Sequence, residues 1–139
     1  MDIKIADSAQ DLEKCREALL GLRPHLSGEG LVSLLVEMIA EGYLLAFIEK
    51  EEKAVAVIGF RYLRLLYTGK QYYIDDLYTL PSHRGRGYAG VLIDFVFDRA
   101  REKGIGVVTL DSGYQRNEAH RLYLNKGFTL NCHHFLKKL

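Results

Sequence analysis

The sequence predicts an α/β (α+β) fold, a mixed and mostly antiparallel central sheet flanked by about four helices. Three observations carry this prediction. From Tyr43 to Leu80 the chain is dense in β-branched and aromatic residues, interrupted by the turn signals Glu49 to Lys53 and Thr68-Gly69-Lys70, which reads as an antiparallel meander. After Pro81 the apolar period lengthens from that of a strand to that of a helix, with Tyr88, Ala89, Val91, Leu92, Phe95, Val96 and Ala100 on one face. Behind Lys103-Gly104 the segment Val107 to Leu110 returns to strand character, so strand, helix and strand form a βαβ unit with a parallel pair and a right-handed connection.

The remaining elements follow in chain order. Ile3 and Ile5 alternate with Lys4 as a short half-buried strand, and Ser8 with Asp11 three residues on opens a helix carrying Leu12, Cys15, Leu19 and Leu22 to Pro24. A second helix holds Leu31, Leu34, Leu35, Met38 and Ile39 and stops at Gly42. Asn117 caps a short helix with Ala119, Leu122 and Tyr123 that ends at Gly127, and Phe128 to Leu139 reads as one or two final strands.

Length and composition bound the function. The 139 residues are expected to form one domain (1–139) able to bury a core without disulfides or metal. Lys plus Arg (19) nearly cancels Asp plus Glu (18), which argues against a nucleic-acid protein that relies on bulk positive charge. No apolar run is long enough for a membrane span and the N-terminus lacks a secretory pattern, so cytoplasm is the expected compartment. Cys15 and Cys132 read as core thiols. No clustered His or Cys gives metal-ligand spacing, and His133 and His134, adjacent in a strand, face opposite ways.

The most informative residues are Arg84-Gly85-Arg86-Gly87-Tyr88-Ala89-Gly90, between a strand and a helix start. Glycines there let backbone N–H groups approach an anion, the helix dipole adds partial positive charge, and Arg84 and Arg86 add charge-assisted hydrogen bonds; a pyrophosphate suits such a place. Gly85-x-Gly87-x-x-Gly90 also matches the dinucleotide fingerprint, with Asp111 about twenty residues on. Against that reading, Pro81 to Arg84 separate the strand from the first glycine, and too little chain follows Asp111 for further crossovers.

Arg84-x-x-Gly87-x-Ala89 resembles the Q/R-x-x-G-x-G/A signature of the GCN5-related N-acetyltransferase (GNAT) superfamily. The stretch Ile74 to Gly87 and the downstream Asn117, Ala119, Tyr123 and Gly127-Phe128 resemble that superfamily's characteristic segments, and the element order resembles its fold. The resemblance implies acetyl transfer from acetyl-CoA to a primary amine by direct attack, without metal. It implies that the parallel pair is splayed, that the Leu77 N–H meets the acetyl carbonyl, and that Tyr78 and Thr79 run along the pantetheine arm. Arg84, Gly85, Arg86, Gly87, Tyr88 and Ala89 would cradle the pyrophosphate. Tyr123 is either the acid that protonates the departing thiolate or an ordinary core tyrosine; Asn117 either bonds the pantetheine arm, caps its helix, or does both. Asp75 and Asp76 are the candidate bases, on opposite faces of one strand. His83 lies beside the loop, and His120, one turn from Tyr123, is a candidate for lining the thiol site.

The acceptor cleft is expected between Arg23 to Tyr43 and the meander tyrosines Tyr62, Tyr67, Tyr72 and Tyr73, with Glu37 and Glu41 either attracting a cationic amine or forming a solvated face. The chain from Asn117 onward resembles aminoalkylphosphonate and other small-amine N-acetyltransferases, which favours a small-molecule amine over a protein acceptor. Pairing of two subunits through the final strands is a further expectation of the family. A non-catalytic acyl-CoA sensor on the same fold is the alternative.

Overall fold

The computed structural model describes residues 2–139. The elements are β1 (Ile3–Ile5), α1 (Ala9–Lys14), α2 (Arg16–Leu22), α3 (Leu31–Ala40), β2 (Tyr43–Lys50), β3 (Lys53–Leu65), β4 (Gly69–Thr79), α4 (Tyr88–Glu102), β5 (Val107–Leu110) and α5 (Asn117–Asn125), with a single 3-10 turn at Pro81–His83. The five strands lie in sequence order in one sheet. Neighbours are antiparallel except β4 and β5, which run parallel as the βαβ reading requires.

β3 is buried on both faces from Ala54 to Phe60, so helices must cover both sides of the sheet. α2 lies on β3 and β4, α3 on β2, and α4 runs across β2 to β5. α4 buries Tyr88, Leu92, Val96 and Ala100 at four-residue spacing, with Ile93 beside them, and all five belong to the hydrophobic core.

The first helix differs from the sequence reading. Ser8 caps it as expected, its Oγ accepting the Asp11 N–H at 3.1 Å. At Cys15, however, the N–H turns back to the Leu12 carbonyl (3.1 Å), and the helix restarts when the Leu19 N–H reaches the Cys15 carbonyl (3.0 Å). The apolar spacing runs unbroken through this kink and so does not reveal it. Cys15 is the expected core thiol, its pKa pushed up to about 12 chiefly by burial.

The C-terminal reading is corrected. Residues 129–139 form no strand, and Leu130, Phe135, Leu136 and Leu139 are exposed. Cys132 is exposed with them rather than in the core. The segment follows Phe128. The Phe128 N–H bonds the Tyr123 carbonyl (3.1 Å) and its ring packs on Phe97 of α4 (5.6 Å), and the chain beyond it reaches the end of β5 through a side chain, with His134 3.3 Å from Asp111. Alternating side chains supply strand propensity, but a strand forms only where its backbone finds a partner row.

The β2–β3 hairpin turns on Glu51 and Glu52, both left-handed (φ 50° and 64°). A two-residue turn of this kind favours Asn-Gly, and an ordinary L-residue is strained there by about 1–2 kcal/mol. The double change Glu51→Asn with Glu52→Gly is therefore expected to raise stability by about 1 kcal/mol or more in urea denaturation. An unchanged or lower midpoint would contradict the strain at this turn.

Candidate active site

The site begins with an irregularity in β4. Asp76 pairs with Gly59 and Ile74 with Phe60, leaving Asp75 with no partner on β3. This extra residue is a β-bulge, and it corrects the expectation that Asp75 and Asp76 face opposite sides. Both line the same two adjoining cavities.

β4 and β5 part directly beyond the bulge. Their last paired residues are Ile74 and Leu110. The Leu80 N–H still donates to the Val55 carbonyl on β3 (2.8 Å). Because strand amides alternate in direction, the N–H groups of Tyr78 and Asp76 also face β3, whereas those of Leu77 and Thr79 point away from it into the gap. The Thr79 carbonyl follows the same rule, and Arg84 Nε donates to it there at 3.0 Å.

A cleft of about 250 Å³ fills the opening between β4, the segment after β5, and α5, with Asp75, Leu77, Ser112, Arg116 and Tyr123 in its wall. Burial raises the Tyr123 phenol above its ordinary pKa, against the lowering charge of Arg116, so the hydroxyl keeps its proton through neutral pH. Ser112 Oγ is buried without a hydrogen-bond partner. A buried polar atom without a partner is unfavourable, and a ligand in the cleft would satisfy it.

The glycine loop joins this cleft to α4. Gly85 and Gly87 are left-handed (φ 77° and 81°), and a Cβ added to either would meet no atom within 4 Å, so the loop presents open space. Gly87 caps α4 without a side-chain bond, and the first backbone bond of the helix runs from the Val91 N–H to the Gly87 carbonyl (3.1 Å). The N–H groups of Tyr88, Ala89 and Gly90 thus precede the intrahelical ladder. The Tyr88 side chain is core. Arg84 also lies over the Tyr78 ring (5.2 Å), and that ring lies so close to Gly21 of α2 that a Cβ there would meet its hydroxyl at 2.7 Å.

Residues 12–128 match the Acetyltransferase (GNAT) family. The chain belongs to this family. It is 37% identical over 98 residues to the uncharacterized N-acetyltransferase YhdJ of Bacillus subtilis (strain 168), covering 70% of this chain and 69% of that one. It is 32% identical over 66 residues to the aminoalkylphosphonate N-acetyltransferase of Salmonella typhimurium, covering 48% and 43%. Among solved structures, a ribosomal-protein-alanine N-acetyltransferase of Brucella melitensis biovar Abortus 2308 superposes over 100% of both chains at 18% identity with a TM-score of 0.85. An aminoglycoside N-acetyltransferase AAC(6')-Iy in complex with CoA matches 99% of this chain and 93% of that one at 17% identity with a TM-score of 0.86. As a GNAT protein the chain is an acetyl-CoA-dependent N-acetyltransferase, and its five-stranded mixed sheet is the fold of these neighbours.

Membership also removes the dinucleotide reading. The glycine loop is reached through the 3-10 turn rather than directly off a strand, and the sheet has one parallel pair. Asp111 accepts a hydrogen bond from the Tyr73 hydroxyl (2.8 Å) and lies 3.3 Å from His134.

Sequence reasoning missed the charged network of this GNAT site. Arg61 holds both oxygens of Asp75 (2.6 to 3.1 Å). Arg23 bonds Asp76 Oδ1 (2.9 Å) and the Asp75 carbonyl (3.1 Å), while the Tyr43 hydroxyl donates to Asp76 Oδ2 (2.7 Å). Burial raises the Asp75 carboxyl above its ordinary value even though Arg61 opposes the shift. Burial, then Asp76, keeps the Tyr43 phenol protonated. One signal was available: a glycine inside a strand marks a bulge or a close approach, and Gly59 lies so near the Tyr43 ring and hydroxyl that a Cβ would collide with them.

Other expected residues lie elsewhere. Asn117 is the first residue of α5, whose cap is Arg116 with no side-chain bond, so the capping role is not observed. His120 bonds the Gly113 carbonyl (2.8 Å), and His83 pairs with Ser82 (2.8 Å); neither lines a cavity described above. Tyr72 is core, Tyr62 and Tyr67 are exposed, and Glu37 and Glu41 are exposed away from the acceptor-side cavity, leaving Tyr73 and Tyr43 as its tyrosines. Among the described residues no group of three or more His, Cys, Asp or Glu is placed to hold a metal, and no helix is long and apolar enough to cross a membrane.

Gly59→Ala is expected to push Tyr43 off Asp76 and destabilise the protein by about 1–3 kcal/mol in urea denaturation. Wild-type stability in that variant would contradict the close approach.

Proposed function

We propose that this GNAT enzyme transfers the acetyl group of acetyl-CoA to the primary amine of a small molecule, by direct attack through a tetrahedral intermediate. The observation that carries the reading is the parting of β4 and β5 beyond Ile74 and Leu110, which turns the Leu77 and Thr79 amides into the gap, Leu77 lining a cleft that also holds Tyr123. The residues fit the donor. Gly85, Arg86, Gly87 and the free amides of Tyr88 and Ala89 suit a pyrophosphate, with Arg84 anchored beside them on Thr79. Thr79 and Tyr78 border the proposed path of the pantetheine arm, and Ser112 lies across the gap.

Each chemical requirement then has a residue. The Leu77 N–H donates to the carbonyl oxygen as negative charge develops on it, a role worth about two to three powers of ten in rate. The amine lone pair forms the new C–N bond, the C–S bond breaks, and Tyr123 gives its proton to the departing sulfur. The proton lost by the amine leaves through water towards Asp75 or Asp76. Both carboxylates are engaged by arginines, so relay through water is the role that fits. Burial raises the Asp75 carboxyl above its ordinary value, which suits it to accept that proton. The small-molecule acceptor is supported by the second cleft, of about 470 Å³, and by the Salmonella relative, whose name states an aminoalkylphosphonate substrate.

Tyr123→Phe is expected to lower kcat roughly tenfold to a hundredfold while leaving the Kd for acetyl-CoA unchanged, measured by thiol release and by calorimetry. Unchanged turnover would remove Tyr123 from proton transfer. Gly87→Val is expected to raise the Kd for acetyl-CoA at least tenfold, because a side chain is strained at this φ and would occupy the open face of the loop. Undiminished affinity would place the pyrophosphate elsewhere.

A further inference from the structure

We infer that the acceptor is a monoamine with an apolar body, an alkylamine or arylalkylamine, rather than a polyamine or an aminosugar; this rests on the proposed amine acetylation. The second cavity is walled on the α2 and α3 side by Leu19, Leu26, Leu31, Leu34, Leu35 and Met38. Its carboxylates Asp75 and Asp76 adjoin the β4 edge, where Arg23 and Tyr43 bond Asp76, and His25 is a polar side chain beside Leu26 on the segment between α2 and α3. An acceptor with one polar end and an apolar body matches that division. Its amine lies toward β4 and the thioester, and its body lies against α3.

The charges decide between one amine and several. Asp76 is paired with Arg23 (2.9 Å) and Asp75 with Arg61 (2.6 Å), so the two carboxylates at this end are already matched by two guanidinium groups. Arg23 lines both cavities, and a second ammonium on the acceptor would sit near it with no unpaired carboxylate to offset the repulsion. Glu37 and Glu41 are the nearby acids on and after α3, and they lie outside the cavity wall. An apolar wall also serves the chemistry. Desolvation disfavours the ammonium form, so an amine entering this cavity gives up its proton more readily and presents the lone pair that attack requires.

The test compares kcat/KM at saturating acetyl-CoA for propylamine, heptylamine, 2-phenylethylamine, spermidine, kanamycin and a short peptide with N-terminal alanine. Burial of each added methylene is expected to raise kcat/KM by about threefold to fourfold, placing heptylamine on the order of a hundredfold above propylamine. Phenylethylamine is expected to exceed spermidine and kanamycin. Leu34→Asp, at a partly exposed wall position that tolerates a polar side chain, is expected to narrow the heptylamine-to-propylamine ratio about tenfold. If that variant does not fold, the wild-type chain-length series decides alone. A flat series, or preference for spermidine, kanamycin or the peptide, would overturn the inference. Inert amines with acetyl-CoA still bound in calorimetry would overturn it and leave the donor site standing, whereas loss of acetyl-CoA binding itself would overturn both.

Discussion

Asp75 is the one residue that interrupts the pairing of β4 with β3, and the geometry of the site follows from how that interruption is held. A bulge increases local twist and turns the strand, and here β4 leaves β5 at the residue before it. The two arginines fix the bulge from either side of the chain. Arg61 reaches Asp75 from the neighbouring strand, and Arg23 reaches the Asp75 carbonyl and Asp76 from the end of α2. Backbone groups that a sheet would consume are thereby held open toward a ligand.

The pairs are partly buried, which makes them more effective as positional constraints than as sources of stability. Desolvating a carboxylate and a guanidinium offsets much of their attraction, while removing one partner strands the other charge. Bidentate geometry on Asp75 defines direction as well as distance, a property that lysine at position 61 would not reproduce. Gly59 completes the arrangement by admitting Tyr43 against the strand, so that both oxygens of Asp76 are engaged. The same clamp serves both clefts, because Arg23, Asp75 and Asp76 line each of them.

What the sequence discloses is what local period and turn chemistry encode. The meander, the βαβ unit and the glycine loop each rest on residues close together in the chain, and each stands in the structure. The kink at Cys15 escaped because the apolar spacing on either side continues in phase. The bulge at Asp75 escaped because strand alternation places neighbouring aspartates on opposite faces unless one residue is unpaired. The partners Arg23 and Arg61 are set by long-range packing that no local pattern carries. The segment after Phe128 shows the opposite failure, since its residues have strand character and no strand forms there.

The central claim is that the amides freed by the parting of β4 and β5, together with those of the glycine loop, receive acetyl-CoA. Amide hydrogen exchange with and without acetyl-CoA tests this most directly. Slowed exchange at Leu77 and Thr79 and across Gly85 to Gly90, with little change at the already paired amides of β2 and β3, is the result the account predicts. Unchanged exchange at those positions in the presence of bound acetyl-CoA, or protection concentrated on another face of the sheet, would contradict it.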